Sequence, residues 1–128
     1  MMKLPKIEQG LEEIYEGARG RIVGLSQWVE GDGVKVYLRV SKRFVEDSYP
    51  WGVTIASIDV SEKLQRQGRF KALLVLCEEF IKRHDLAFVY VESVINEDLL
   101  AFLLTQGFKP RDERYAEIIG GDFYRLKG

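Results

Sequence analysis

Apolar residues recur along this chain with two periods, one helical and one strand-like, and the switches between them mark the elements. In residues 7–18, Ile7, Leu11, Ile14 and Tyr15 recur at helical spacing, and Gly17 and Gly20 close the segment. Gly10 falls inside that helix and weakens it. Residues 21–29 and 34–40 are rich in β-branched side chains and flank Gly31-Asp32-Gly33, which predicts a hairpin. Pro50 precedes a nearly continuous run of small and β-branched residues over 51–60, the pattern of a strand covered on both faces. Residues 68–83 form the strongest helical pattern, with Leu73, Leu76, Cys77, Phe80 and Ile81 as its buried stripe. Asp85-Leu86 ends it, and residues 87–94 read as the next strand. Asn96-Glu97-Asp98 then caps a helix whose apolar side is Leu99, Leu100, Phe102, Leu103 and Leu104, with Gly107 closing it. The tail, 108–127, reads as two strands around a turn at Gly120-Gly121.

The order is therefore helix, hairpin, strand, helix, strand, helix, hairpin. A right-handed crossover joins the strands at 51–60 and 87–94 in parallel, and the remaining pairings are antiparallel. The expected fold class is α/β (α+β): a mixed, mostly antiparallel central sheet with one splayed parallel pair and helices on both faces. No repeat, low-complexity stretch or linker interrupts it, and 128 residues suffice for one domain with one core, residues 1–128.

Composition narrows the function. Apolar residues are 46% and charged residues 30%, and the net charge is −1, so no global field draws the protein to nucleic acid or membrane. Any anion must be bound locally. Cys77 is the only cysteine, which excludes an intramolecular disulfide and suits a reducing compartment. The start, Met1-Met2-Lys3-Leu4-Pro5-Lys6, lacks a signal-peptide core, and the longest apolar run near a helix, residues 72–77, is too short to span a bilayer. A cytoplasmic location is the expectation. His84 stands alone at a helix end with no partner at metal-ligand spacing, so no metal is expected.

The chemistry concentrates at residues 60–73. There a strand ends, Ser61 to Gln67 and Gly68 turn, and the long helix begins. Such a junction aims unpaired backbone N–H groups and the positive end of the helix dipole at one point, where a phosphate fits. Arg66, Arg69 and Lys71 at a helix start oppose the dipole unless an anion compensates them.

These residues resemble the acyl-CoA signature of the GNAT N-acetyltransferase superfamily: Val60, a four-residue loop, Gln65, two residues, Gly68, one residue and a final small residue, here replaced by Phe70. A second family element, an Asn opening a helix that ends in an apolar pair, three residues and Gly-Phe, is matched by Asn96, Phe102-Leu103 and Gly107-Phe108. The resemblance covers most of residues 51–108. It implies that Gln65, Arg66, Gln67, Gly68, Arg69 and Phe70 cradle the pyrophosphate of acetyl-CoA through their backbone, with Lys71 adding charge. It implies that the pantetheine amides pair with the edge at Ile58, Asp59 and Val60, and that Asn96 and Phe102 flank the arm.

The implied activity is transfer of an acetyl group to a primary amine by direct attack in a ternary complex, since no Cys–His pair supports a covalent intermediate. The backbone N–H of Asp59 or Val60 would polarise the thioester. Glu92, in the otherwise apolar run of residues 89–94, is the first candidate base, through partial burial. The alternative for Glu92 is a carboxylate paired with a nearby arginine or lysine. Asp59 is the second candidate base. The family's usual acid, a tyrosine, is Leu103 here, which leaves Tyr90, Tyr115, Tyr124 or water. That gap favours a rival reading, a non-catalytic acyl-CoA-binding or partner-binding module. Cys77, on an apolar stripe, reads as core. Trp28, Tyr37, Tyr49 and Trp51, with Lys42-Arg43, read as sheet-face packing or as a groove for the acceptor, a small-molecule or protein amine. The tail hairpin, at residues 123–126, is the expected place for pairing in a homodimer.

Overall fold

In the computed structural model, which describes residues 2–60 and 68–128, the first helix, α1, spans Pro5–Ala18. Pro5 opens it, where its missing N–H costs nothing. Its N-cap, Leu4, has no capping side chain. That role falls to Asp32, whose Oδ2 accepts from the backbone N–H of Lys6 at 2.8 Å and Ile7 at 3.2 Å. Asp32 sits in the predicted hairpin turn between β1 (Leu25–Gly31) and β2 (Val34–Lys42). Asp32 and Gly33 both have positive φ, 55° and 81°, as a tight turn matched to strand twist requires. The hairpin tip thus doubles as the cap of α1.

The first strand starts later than its composition suggests. Residues 21–24 stay outside the sheet, with Ile22 and Val23 91% and 82% exposed. The third strand, β3, spans Trp51–Val60 and pairs antiparallel with β2. The register skips between Tyr37 and Leu38, which face Ser57 and Ile55, so Ala56 is an extra residue on β3. Helix α2 (Arg69–Arg83) crosses to β4 (Phe88–Val91), which pairs with β3 in parallel. Helix α3 (Glu97–Thr105) leads to the short β5 (Lys109–Pro110), a 3-10 turn at Glu113–Tyr115, and β6 (Phe123–Leu126). The sheet order is β1-β2-β3-β4-β6-β5. It is mixed and mostly antiparallel with one parallel pair, as expected. The tail does form two strands, but β6 lies between β4 and β5. Phe123 and Tyr124 therefore have neighbours on both sides within the chain, which removes them as an edge for pairing with a second copy.

The larger core joins Ile7, Leu11 and Ile14 of α1 and Leu73, Cys77 and Phe80 of α2 to the inward residues of β2, β3 and β4. Leu100 and Leu103 of α3 belong to the same cluster. Arg125 of β6 confirms the arrangement, reaching Glu78 of α2 at 2.9 Å and the carbonyl of Gln106 beyond α3 at 3.0 Å. The helices, expected on both faces, thus pack together on one. The opposite face carries a small cluster of Val45, Phe88, Tyr90 and Tyr124, and among the described residues no helix joins it. Its cover includes Val45 of the segment between β2 and β3. Leu104, expected on the apolar side of α3, is instead 40% exposed.

Gly10, a weakness in α1 on propensity alone, has a packing role. A Cβ there would lie on both methyls of Val29, 2.9 Å from Cγ2, so glycine lets α1 sit directly on β1. Gly10→Ala gains about 1 kcal/mol of helix propensity but forces the helix off the strand. Overpacking of this kind costs about 1–3 kcal/mol. A net loss of stability in urea unfolding is the expected outcome, and a stabilised variant would show that α1 can shift freely.

Candidate active site

The site arises where β3 and β4 part. Their parallel pairing covers three residue pairs, Val53 to Ile55 against Val89 to Val91. One more bond, from the N–H of Glu92 to the carbonyl of Ile55 at 3.0 Å, closes it. Beyond that bond β3 continues along β2 to Val60, past its bulge at Ala56. On the other strand, Ser93 takes a left-handed φ of 51° and the chain turns away from the sheet. The gap is a cleft of about 780 Å³, within the range of small-molecule sites. Ile55 to Ile58 form one wall and Val91 to Ser93 the other. Gly68 to Lys71 of the α2 entry, Ile95 and Asn96 just before α3, and Asp98, Leu99 and Phe102 of α3 complete it.

Residues far apart in the sequence therefore meet here. Ile58, Gly68, Arg69, Phe70, Lys71, Glu92, Asn96 and Phe102 all line the cleft. Gln65, Arg66 and Gln67 lie outside the described residues. Asp59 and Val60 contribute strand backbone, opposite Lys35 and Val34 of β2, and their side chains are likewise outside the description. Gly68 is the N-cap of α2 with φ 84°, a conformation glycine adopts without strain, and a Cβ there would meet open space. No acidic residue lies in the first turn of α2. The Nε of Arg69 donates to the carbonyl of Asp32 at 3.1 Å, tying the helix start to the hairpin tip. Phe70 packs partly on the larger core while lining the cleft. Asn96 caps α3, accepting from the N–H of Leu99 at 3.0 Å.

No protein-family model matches the sequence, and neither does any curated protein. Solved structures do share this architecture. The KacTA–DNA complex aligns with 99% of this chain and 85% of its own, at 18% identity and TM-score 0.54. The ribosomal-protein alanine N-acetyltransferase of Escherichia coli aligns over 91% and 77%, at 19% identity and TM-score 0.50. The AtaT toxin, bound to the C-terminus of the antitoxin AtaR and acetyl-CoA, aligns over 73% of this chain at 16% identity and TM-score 0.52. The match spans 58% of the length of that toxin. The chain has the GNAT fold. At these identities the likeness concerns the fold. One neighbour is a complex with DNA, so the expected absence of a nucleic-acid partner finds no support among them.

Within this GNAT fold, the candidate base departs from expectation. Glu92 is not set in apolar surroundings. Its side chain is 23% exposed, and its Oε2 lies 2.8 Å from Nη1 of Arg43 and 3.2 Å from Nη1 of Arg39. Its surroundings are those of the arginine-paired carboxylate that the sequence offered as the alternative. The sequence suggested a basic partner only by residue type and offered Arg43 only within the Lys42-Arg43 pair, so the pairing itself comes from the fold. Alternation places Arg39 on the helix-free face of β2, and Arg43 follows that strand, but neither sits in a motif.

The tyrosines considered as acids are engaged elsewhere, and none lines the cleft. Tyr90 is 1% exposed, and its hydroxyl donates to Oδ2 of Asp122 at 2.8 Å. Burial, then that bond, raises its pKa, with Arg43 opposing. The hydroxyl of Tyr124 donates to Glu46 at 2.8 Å, and burial followed by that bond pushes its pKa up to about 12. Tyr115 packs near Gly121. Leu103, where the resemblance leads one to expect a tyrosine, is wholly buried in the core.

Trp28 and Tyr37 are ring neighbours at 5.1 Å on the helix-free face, with Lys35 over Trp28. Trp51 packs against the larger core instead of joining them. His84 lies between Tyr15 and Phe80, with Nε2 3.1 Å from Glu12. Among the described residues, no group of three or more metal-ligating side chains converges, and no helix is long and apolar enough to cross a membrane.

Cys77 is fully buried, and burial pushes its thiol from 9.0 up to about 12. A raised thiol pKa favours the folded state at low pH, so this contribution is full below pH 9.0 and declines as pH rises toward 12. The expected result is slow alkylation by iodoacetamide at pH 8 that accelerates on adding urea. Rapid labelling of the native protein would contradict this burial.

Proposed function

We propose that this chain is an acetyl-CoA-dependent N-acetyltransferase that acts on a primary amine, by direct attack within a ternary complex. The observation that carries the reading is the cleft between β3 and β4. A strand edge, a glycine-entered helix with no acid in its first turn and the start of α3, which brings Leu99 and Phe102 together with Asn96 and Asp98, meet there. Acetyl-CoA supplies the activated thioester. The chain's residues would do the rest. Backbone N–H groups around Gly68 face the phosphates, and the absent Cβ allows close approach. The edge of β3 from Ala56 onward has lost β4 as neighbour and offers its backbone to the amides of an extended arm. Phe70 and Phe102 supply apolar contact. Helices cover one face of the sheet, so the acceptor approaches from the other, where Glu92 lies with Arg39 and Arg43. Glu92 would take the amine proton, directly or through water, its position held by the two guanidinium groups. The acceptor is a small molecule or a protein amine.

The absence of a tyrosine in the cleft, with Leu103 buried, favours one second reading, an acyl-CoA-binding module without turnover. Product formation from an amine panel separates the two.

Calorimetry with acetyl-CoA and CoA is the first test, and no heat at millimolar cofactor would refute both readings. Gly68→Glu is expected to abolish binding. Gly68→Ala shares the backbone strain, about 1–2 kcal/mol, without the charge, and should bind at least tenfold better than Gly68→Glu. Equal affinities would move the phosphates away from residue 68. Glu92→Gln should lower kcat by roughly 10²-fold with coenzyme affinity retained. An unaltered rate from pH 6 to 9 would remove Glu92 as the base.

A further inference from the structure

Asp122 has no part in the chemistry above, yet its carboxylate joins the cleft wall at Ser93 to two groups behind it, Tyr90 and Arg43. Its Oδ2 accepts the hydroxyl of Tyr90 at 2.8 Å. Its Oδ1 accepts the backbone N–H of Ser93 at 2.9 Å. The Nη2 of Arg43 lies 3.8 Å from Oδ2, while the same guanidinium stacks 3.6 Å over the ring of Tyr90 and reaches Glu92 at 2.8 Å.

Ser93 is where the second wall of the cleft leaves the sheet. Its left-handed φ of 51° is unfavourable for a residue with a side chain. Such a bend persists when its surroundings hold it, and the segment just before β6 does so. The N–H of Val94 donates to the carbonyl of Gly121 at 2.8 Å, and the N–H of Gly120 to the carbonyl of Val94 at 2.7 Å. With the bond from Ser93 to Asp122, three hydrogen bonds fasten residues 93–94 to residues 120–122. The other oxygen of Asp122 faces Tyr90 and Arg43. Without that negative charge Arg43 would keep Glu92 as its one close carboxylate among the described residues.

We propose that Asp122 is a positioning residue, with one oxygen fixing the Ser93 bend that sets the cleft width and the other orienting Arg43, and through it Glu92. The effect on turnover rests on the acyl-CoA reading of the cleft; the effect on the bend does not.

Two variants separate the two halves. Asp122→Asn retains a carbonyl oxygen for the N–H of Ser93 but loses the charge that faces Arg43. Asp122→Ala loses both. Amide hydrogen exchange is read at Ser93 and Val94, with the amides of α2 as the global reference. Asp122→Ala should exchange at least tenfold faster at Ser93 with α2 unchanged, and Asp122→Asn should stay within about threefold of the parent. Calorimetry with CoA should show about tenfold weaker binding for Asp122→Ala and near-parental binding for Asp122→Asn. Asp122→Asn should lower kcat severalfold with KM for acetyl-CoA unchanged, a split that general destabilisation would not produce. Unchanged protection at Ser93 in Asp122→Ala, or equal acceleration throughout α2, overturns the first half. A parental kcat in Asp122→Asn overturns the second. If the parent protein itself binds no CoA, the acyl-CoA reading fails, and the exchange data still decide the role of Asp122 at the bend.

Discussion

The site depends on where one parallel strand pair stops. Parallel pairing needs both chains extended in the same direction, and β3 and β4 meet that condition for only a few residues. After the bond from Glu92 to Ile55, β3 is held by β2 while β4 is drawn toward the turn before β6. Backbone groups left unpaired in a sheet interior are costly unless something satisfies them. A gap at that point therefore calls for water or an extended ligand. The bulge at Ala56 adds local twist to β3 beside the divergence.

The two faces of the sheet divide the labour. On one face α1, α2 and α3 share a single apolar core. On the other, a row of side chains crosses the sheet through facing positions: Ser26, Arg39, Thr54, Tyr90 and Tyr124. Charge gathers beside this row, with Glu92 between two arginines, Asp122 under Tyr90 and Glu46 at Tyr124. A charged group on this face keeps part of its hydration, so such pairs are tolerated here and would be expensive beneath the helices.

The hairpin tip shows how few residues link the layers. Asp32 takes its place in the turn through a positive φ, caps α1 through its carboxylate and accepts from Arg69 at the start of α2 through its carbonyl. One turn residue thereby registers both helices against the sheet.

The order and type of elements were legible because periodicity is local. Helical stripes such as Leu73, Cys77 and Phe80, and the hairpin around Asp32, follow from neighbours within a few positions. The glycine-entered helix and the capping by Asn96 could be read in the same way. The partners of Glu92 could not, because Arg39 and Arg43 lie about fifty residues away in sequence, and the apolar run around Glu92 suggested burial. Likewise Gly10 is a weak helix position by propensity, and its role comes from Val29 packed beneath it, far away in sequence. Local sequence set the strands, the helices and the glycine entry of α2. Tertiary structure decided which face each helix covers, where the parallel pair ends and which charges meet. Those outcomes come from long-range packing and pairing, which no window of adjacent residues contains.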